Sequence, residues 1–404
     1  MDRDGRDTRG RPRLLRGRRD FLKLTGATAG LAALAGCGGD SEESDYNREE
    51  PIPEPKTYAE SDLFNMEEWR GSGPLIGERP SEYEGVSMLD LPDMRGELTV
   101  YLGGGEGGLY VNLLNRIQRT YRDFNIKTRK APSSQLANTL VEEARAGNSP
   151  ADVFWAIDAG SVGVVANNDA TESLPEAVGR FVPGTFYPSR SWVGVMGRAR
   201  SVPYNTDEFD AADIPNTVMA MDSDDRFDNM GWAPTYGAFQ SFITAMRLIE
   251  GESRTREWLN GMQGLGIGAY NNELVVANRV ADGELSAGFS NHYYSRLVRQ
   301  DRPDAPLELA FTQSDPGALI NCSATEVIKG TDERILAENL ILHLLSVEAQ
   351  EFLGTRGYEY PLVPSVPPVG DLPAIDELNP PEFDLTRLAD VEPTLQLLRD
   401  VGVL

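Results

Sequence analysis

Two adjacent phenols, an amide and an imidazole stand within five residues at Ser290-Asn291-His292-Tyr293-Tyr294. A phenol titrates near pH ~10, so neighbouring tyrosines are poor anions in water. Beside a hard, highly charged cation they lose their protons and become strong oxygen donors, because the ion's own charge inverts the local pKa logic. The apolar run 285–289 before them has buried-strand character, and 295–299 after them reads as helix. That places the group at a strand's carboxyl end, where open α/β sheets bind ligands. With one ring in a core and the other on the surface, the same pair would be inert. Its surroundings decide.

The elements that must hold the pair alternate between strand and helix. Residues 98–102 (LTVYL) read as a strand running into Gly103-Gly-Gly-Glu-Gly-Gly108. A helix follows, with apolar residues at 110, 113, 114, 117, 121 and 124. Ser134 caps a second helix, and 151–157 is a buried strand ending at Asp158. Such alternation demands a parallel sheet whose strand ends converge on a crevice. Gly103-x-Gly105-x-x-Gly108 formally matches the dinucleotide fingerprint. The acid that fingerprint needs, ending a second strand about 20 residues on, would be Asp123, which the spacing puts inside the helix.

A second α/β unit has strands at 229–233, 267–270 and 285–289, and a helix opened by the turn Pro234-Thr-Tyr-Gly-Ala238. Residues 192–204 and 307–312 read as extended crossings between lobes rather than core strands, the first with Arg198 and Arg200 on one side. The expected fold is therefore α/β and two-lobed, with two hinge crossings and a ligand cleft between the lobes. Lobe 1 would comprise 96–202 and 313–404, and lobe 2 would comprise 203–312. Residues 331–353 read as helical with His343 in the core, Cys322 as a buried unpaired thiol, and 388–398 as a final helix.

Composition narrows the class. Asp and Glu number 63 against 38 Lys and Arg, for a net charge of −25. The lysines are few, at 23, 56, 127, 130 and 329. Such an acidic, lysine-poor surface is typical of proteins from concentrated salt. It excludes nucleic acid as a partner, since no basic face can displace counterions from phosphates. Residues 1–36 run the other way, with nine cations against four Asp. Arg18-Arg19, the short apolar run 24–35 and Leu34-Ala-Gly-Cys37 follow in the order of a signal peptide. The twin arginine resembles the signal for export of folded proteins. The last four residues resemble a lipobox, which would lipidate Cys37. Residues 37–95 would then be an acidic tether, with 61–95 lying across the body's surface.

Ser149-Pro-Ala-Asp-Val-Phe-Trp155, Gly197-Arg-Ala-Arg200, Gly231-Trp-Ala-Pro234, Asn291-His-Tyr-Tyr294 and Tyr358-Glu-Tyr-Pro361 occur in this order. Over 96–404 the chain resembles the ferric-ion-binding proteins, which supply iron to ATP-binding-cassette importers. The resemblance implies a periplasmic-binding-protein fold, Fe(III) as cargo with carbonate or phosphate as synergistic anion, and Tyr293 and Tyr294 as principal ligands. Asn291 and the turn Thr235, Gly237 and Ala238 fall where the family contacts that anion. Tyr236 would add a third phenolate. Asn272 matches, while Glu273 stands at a usual asparagine position, where a carboxylate would repel an anion or replace it as a ligand. The family's histidine falls on Gly105 and its glutamate on Ile157, which leaves Glu106 and Asp158 as substitutes. A permease, a lipid anchor and a monomeric state complete the expectation. The alternative is a binding protein of the same fold for an organic or oxyanion solute, for which Arg198 and Arg200 speak. With two histidines and no nucleophile–base pair, an enzyme is not expected.

Overall fold

The computed structural model describes residues 65–104 and 108–404. The signal-like segment, Cys37, most of the tether, Gly105 and Glu106 lie outside the described residues. Strand β1 (Gly96–Leu102) pairs in parallel with β2 (Phe124–Lys130) on one side and β3 (Val153–Ala156) on the other. Strand β4 (Val193–Asn205) runs onward from this sheet into a second one. The second sheet holds β5 (Met230–Trp232), flanked in parallel by β6 (Gly268–Ala269) and β7 (Ala287–Gly288). Strands β8 (Ser290–Asn291) and β9 (Leu307–Ala310) pair antiparallel with the second half of β4. Strands β10 (Ile320–Val327) and β11 (Tyr360–Pro361) pair with its first half, and β10 also joins β3.

Helices α2 (Leu109–Thr120), α3 (Ser133–Arg145), α4 (Ala159–Asn167), α9 (Arg334–Leu344) and α10 (Val347–Gly357) pack on the first sheet, and α1 (Met66–Trp69) lies on α10. Helices α5 (Gly237–Ile249), α6 (Glu252–Gly264), α7 (Glu273–Ala281) and α8 (His292–Asp301) build the second unit, with the final α11 (Glu392–Asp400) against α5. Each unit has its own apolar core, the first around Phe154, Trp155 and Trp192, the second around Trp232, Phe242 and Trp258. In β7, a Cβ on Gly288 would stand 2.3 Å from Val276 of α7 and 2.9 Å from the Gly231 carbonyl, so only glycine lets helix and strands close there.

Four expectations change. Residues 192–204 are a crossing, but also a core strand, since every residue of β4 is buried. The helix after the glycine loop ends at Thr120, so Asp123 precedes β2 rather than lying in a helix. Sequence reasoning misses β2 because it is an edge strand with one buried residue and so carries no apolar alternation. Residues 65–95 do not simply lie on the surface: Trp69, Met88, Leu91 and Met94 are buried in the first core. Lastly, Leu397 and Leu398 of α11 enter the second core, so the stretch 313–404 is shared between the two cores.

The segment before β1 is fastened to α10 by charge. Glu351 takes Arg70 Nε at 2.6 Å, Arg79 Nε at 2.7 Å and Nη2 at 2.6 Å, and the Tyr83 hydroxyl at 2.9 Å. Replacing Glu351 by Gln should cost about 3–5 kcal/mol, because it strands buried arginine charge. Urea unfolding of the variant measures it. The reverse holds for Glu326 on β10, which is fully buried with both carboxylate oxygens unpartnered. Burial pushes its carboxyl well above the usual range, so it sits in the core as a neutral acid. Glu326→Met should stabilise the chain by about 1–3 kcal/mol by removing an unsatisfied polar group, again read by urea unfolding.

Candidate metal centre

The tyrosine pair follows directly on the carboxyl end of β8, as the pattern predicts. It lies in the first turn of α8, whose helix begins at His292 rather than Ser295. The open N–H groups and positive dipole end of a helix favour anions in that turn, phenolates included. Tyr236 occupies the position just before α5. The openings of two helices thus face each other, and the hydroxyls of Tyr236 and Tyr294 meet in a very short hydrogen bond. The Tyr293 and Tyr294 rings are 4.4 Å apart between centroids. Both are nearly buried, and the Asn291 amide reaches the Tyr293 hydroxyl at 3.4 Å.

A cavity of about 470 Å³ opens beside them. Ser133, Asp158 and Asn321 line it from the first unit; Tyr236, Gly237, Ala238, Asn291 and Tyr293 line it from the second; Arg198 and Arg200 reach it from β4. Tyr294 joins this group through Tyr236. Thr235 is exposed and does not line the cavity. Asn272 is a cap, its oxygen accepting from the Val275 amide at 2.9 Å. Asp158 also caps a helix, accepting from Ser161 N at 2.8 Å and Oγ at 2.9 Å. Burial nevertheless pushes its carboxyl up against those two bonds, so as a substitute ligand it would first have to give up the cap.

Each of the two arginines is held by a carboxylate far from it in the chain. Arg198 donates to Glu359 at 2.9 Å and to the Tyr110 hydroxyl at 2.8 Å, and Tyr110 stacks on Trp155 at 4.2 Å. Burial pushes the Tyr110 phenol up, Arg198 pulls it down and Glu359 adds to the rise, so Tyr110 is a fixed proton-bearing partner. Arg200 donates through Nη1 to Glu273 at 2.5 Å and to Asn291 Oδ1 at 3.1 Å, while its buried Nη2 has no hydrogen bond. Among the described residues, no cluster of three or more His, Cys, Asp or Glu side chains could hold a metal. The donor set is phenolic oxygen, which suits a hard trivalent ion and not a soft one.

A family model described as bacterial extracellular solute-binding protein matches residues 112–379. The chain belongs to that family. Among its relatives, the major ferric iron-binding protein of Neisseria meningitidis serogroup A is 29% identical over 286 residues, 69% of this chain and 86% of that protein. The Fe(3+)-binding periplasmic protein of Serratia marcescens is 26% identical over 290 residues, 70% of this chain and 85% of that one. Iron-bound HitA from Pseudomonas aeruginosa superposes with a TM-score of 0.67 at 26% identity, covering 76% of this chain and 99% of HitA. The two-lobed periplasmic-binding-protein fold follows, with the cavity in the cleft between the lobes. As a solute-binding protein the chain is a carrier and not an enzyme.

In this solute-binding protein the residue before the pair is a structural anchor. His292 is fully buried, with Nε2 at 2.8 Å from the Tyr358 carbonyl and Nδ1 at 3.3 Å from that of Ala199. We assign the proton to Nε2 on the shorter distance. Tyr358 presents its carbonyl from a left-handed conformation, φ 59°, rare for a bulky residue. Burial lowers the imidazole pKa to about 3, although both carbonyls favour the charged form. The folded state therefore refuses a proton that the unfolded chain accepts below pH ~6.5. Stability present above that pH should be lost progressively on acidification towards pH 3, by up to about 1.4 kcal/mol per pH unit. His292→Gln should flatten that slope in urea titrations of the iron-free protein.

Proposed function

We propose that this protein captures ferric iron in the inter-lobe cleft and hands it to the permease of an ATP-binding-cassette importer. One observation carries the reading: the phenols of Tyr236, Tyr293 and Tyr294 gather at the openings of two helices beside a cleft cavity. Such oxygens bind weakly to calcium or magnesium, whose lower charge draws off phenolic protons poorly, and strongly to a trivalent ion. Tyr293 and Tyr294 act as principal ligands with Tyr236 as the third. The relatives named for ferric iron support this. All three phenols come from the second lobe, so a bias of the hinge towards closure would come from the groups that the first lobe brings to the cavity, Ser133, Asp158 and Asn321.

The sequence supplies the address. Export by the twin-arginine route, a lipid on Cys37 and a site of action on the outer face of the cytoplasmic membrane fit a monomeric, salt-adapted carrier. A second reading, an organic or oxyanion solute, draws on a cavity far larger than one ion and on the Nη2 of Arg200. The test is a spectral titration of chelator-stripped protein with ferric citrate. A visible tyrosinate-to-iron band, not produced by calcium or magnesium, is expected. Colourless protein retaining a small organic molecule would replace this reading with the second.

A further inference from the structure

Arg200 and Asn291, which line the cleft cavity, hold a carboxylate of the chain behind it. Glu273 is fully buried, with Oε1 accepting from Arg200 Nη1 at 2.5 Å and Oε2 accepting from the Asn291 backbone amide at 2.8 Å. These are a guanidinium and the backbone amide of the residue that precedes α8, two kinds of donor that hold small oxyanions in proteins. Arg200 also grips Asn291 Oδ1, and the Asn291 amide nitrogen leads to the Tyr293 hydroxyl. The carboxylate is therefore wired to the phenol cluster through its own ligands. It does not itself line the cavity, whereas Arg200 and Asn291 do.

We infer that Glu273 is a built-in counter-anion, which lets this site take ferric iron without a carbonate or phosphate partner. Charge makes the argument, and it rests on the iron reading above. Arg198 is neutralised by Glu359 and Arg200 by Glu273, each at salt-bridge distance inside the protein. Three phenolates match the three charges of ferric iron, so the ion and its phenols add no net charge to the cleft. A dianion brought into it would be uncompensated in a medium of low dielectric, which is costly. Arg200 Nη2 remains as a hydrogen-bond donor to the cleft, but it belongs to a neutral pair and has no spare charge to draw a dianion in. Glu273 thus makes iron capture independent of the oxyanion supply.

The experiment uses wild type, Glu273→Gln, and Arg200→Gln/Glu273→Gln, the last removing both charges in case the single change strands a buried arginine and fails to fold. Iron-free proteins are titrated with inorganic phosphate by calorimetry, and iron-loaded proteins are challenged with a chelator in buffers with and without phosphate or bicarbonate. Wild type should show no phosphate heat, and its iron loss should be the same within about twofold in both buffers. Glu273→Gln should bind phosphate and lose iron about tenfold faster without an anion, roughly 1.4 kcal/mol. The double variant should bind no phosphate, since its corner offers no charge. Phosphate binding by iron-free wild type, or anion dependence of its iron loss, would overturn the inference. The phosphate arm needs no iron, so failure of iron capture and failure of this inference are read separately.

Discussion

Phenylalanine at Tyr293 or at Tyr294 should bleach or shift the visible band and weaken iron retention by well over the ~10–100-fold typical of losing a partner outside the ligand set. Each substitution removes one oxygen that carries charge in the loaded site while leaving the ring's packing intact. Both rings are nearly buried, so the fold keeps its contacts and the loss reads as coordination. Tyr236→Phe is the informative comparison. Tyr236 bonds to the Tyr294 hydroxyl, so if it is a ligand its loss should resemble that of the other two. If it only supports Tyr294, the band should survive with a smaller drop in affinity. Chelator competition, with far-ultraviolet circular dichroism to check the fold, measures all three.

The second large effect is on pH. An unperturbed phenol holds its proton until pH ~10, so iron must displace one proton from each tyrosine it takes near neutrality. Affinity should fall as pH falls, by about tenfold per unit for each proton displaced: about a hundredfold for two phenols and about a thousandfold for three. The slope therefore counts phenolates. Our ligand set predicts three in wild type and two in Tyr236→Phe, measured by chelator competition between pH ~6 and ~8, where the reference phenol stays fully protonated. A wild-type slope of zero would mean that the tyrosines do not coordinate.

Much of this was legible in the sequence because the needed residues are adjacent or sit at the ends of clear elements. The tyrosine pair, the turn carrying Tyr236 and the strand–helix alternation can each be seen in a short window. The start of α8 was not, because Asn291, in the capping position, makes no side-chain cap and bonds to Arg200 instead. The pairing of Arg198 with Glu359 and of Arg200 with Glu273 spans 161 and 73 residues. No local pattern encodes such partners; only the fold brings them together. By position Asn272 falls among the family's anion contacts and Glu273 would repel or replace the anion; in the fold Asn272 caps α7 and Glu273 pairs with Arg200 of β4. The burial of Trp69, Met88, Leu91 and Met94 has no local signature, because isolated apolar residues in a polar, proline-bearing stretch show no periodicity.

The most direct test of the central claim is metal analysis, with a visible spectrum, of the mature protein purified without chelator. The account predicts close to one iron per chain and a tyrosinate-to-iron absorption band that disappears when the metal is stripped. Protein that carries no iron and stays colourless after ferric citrate is added would contradict it.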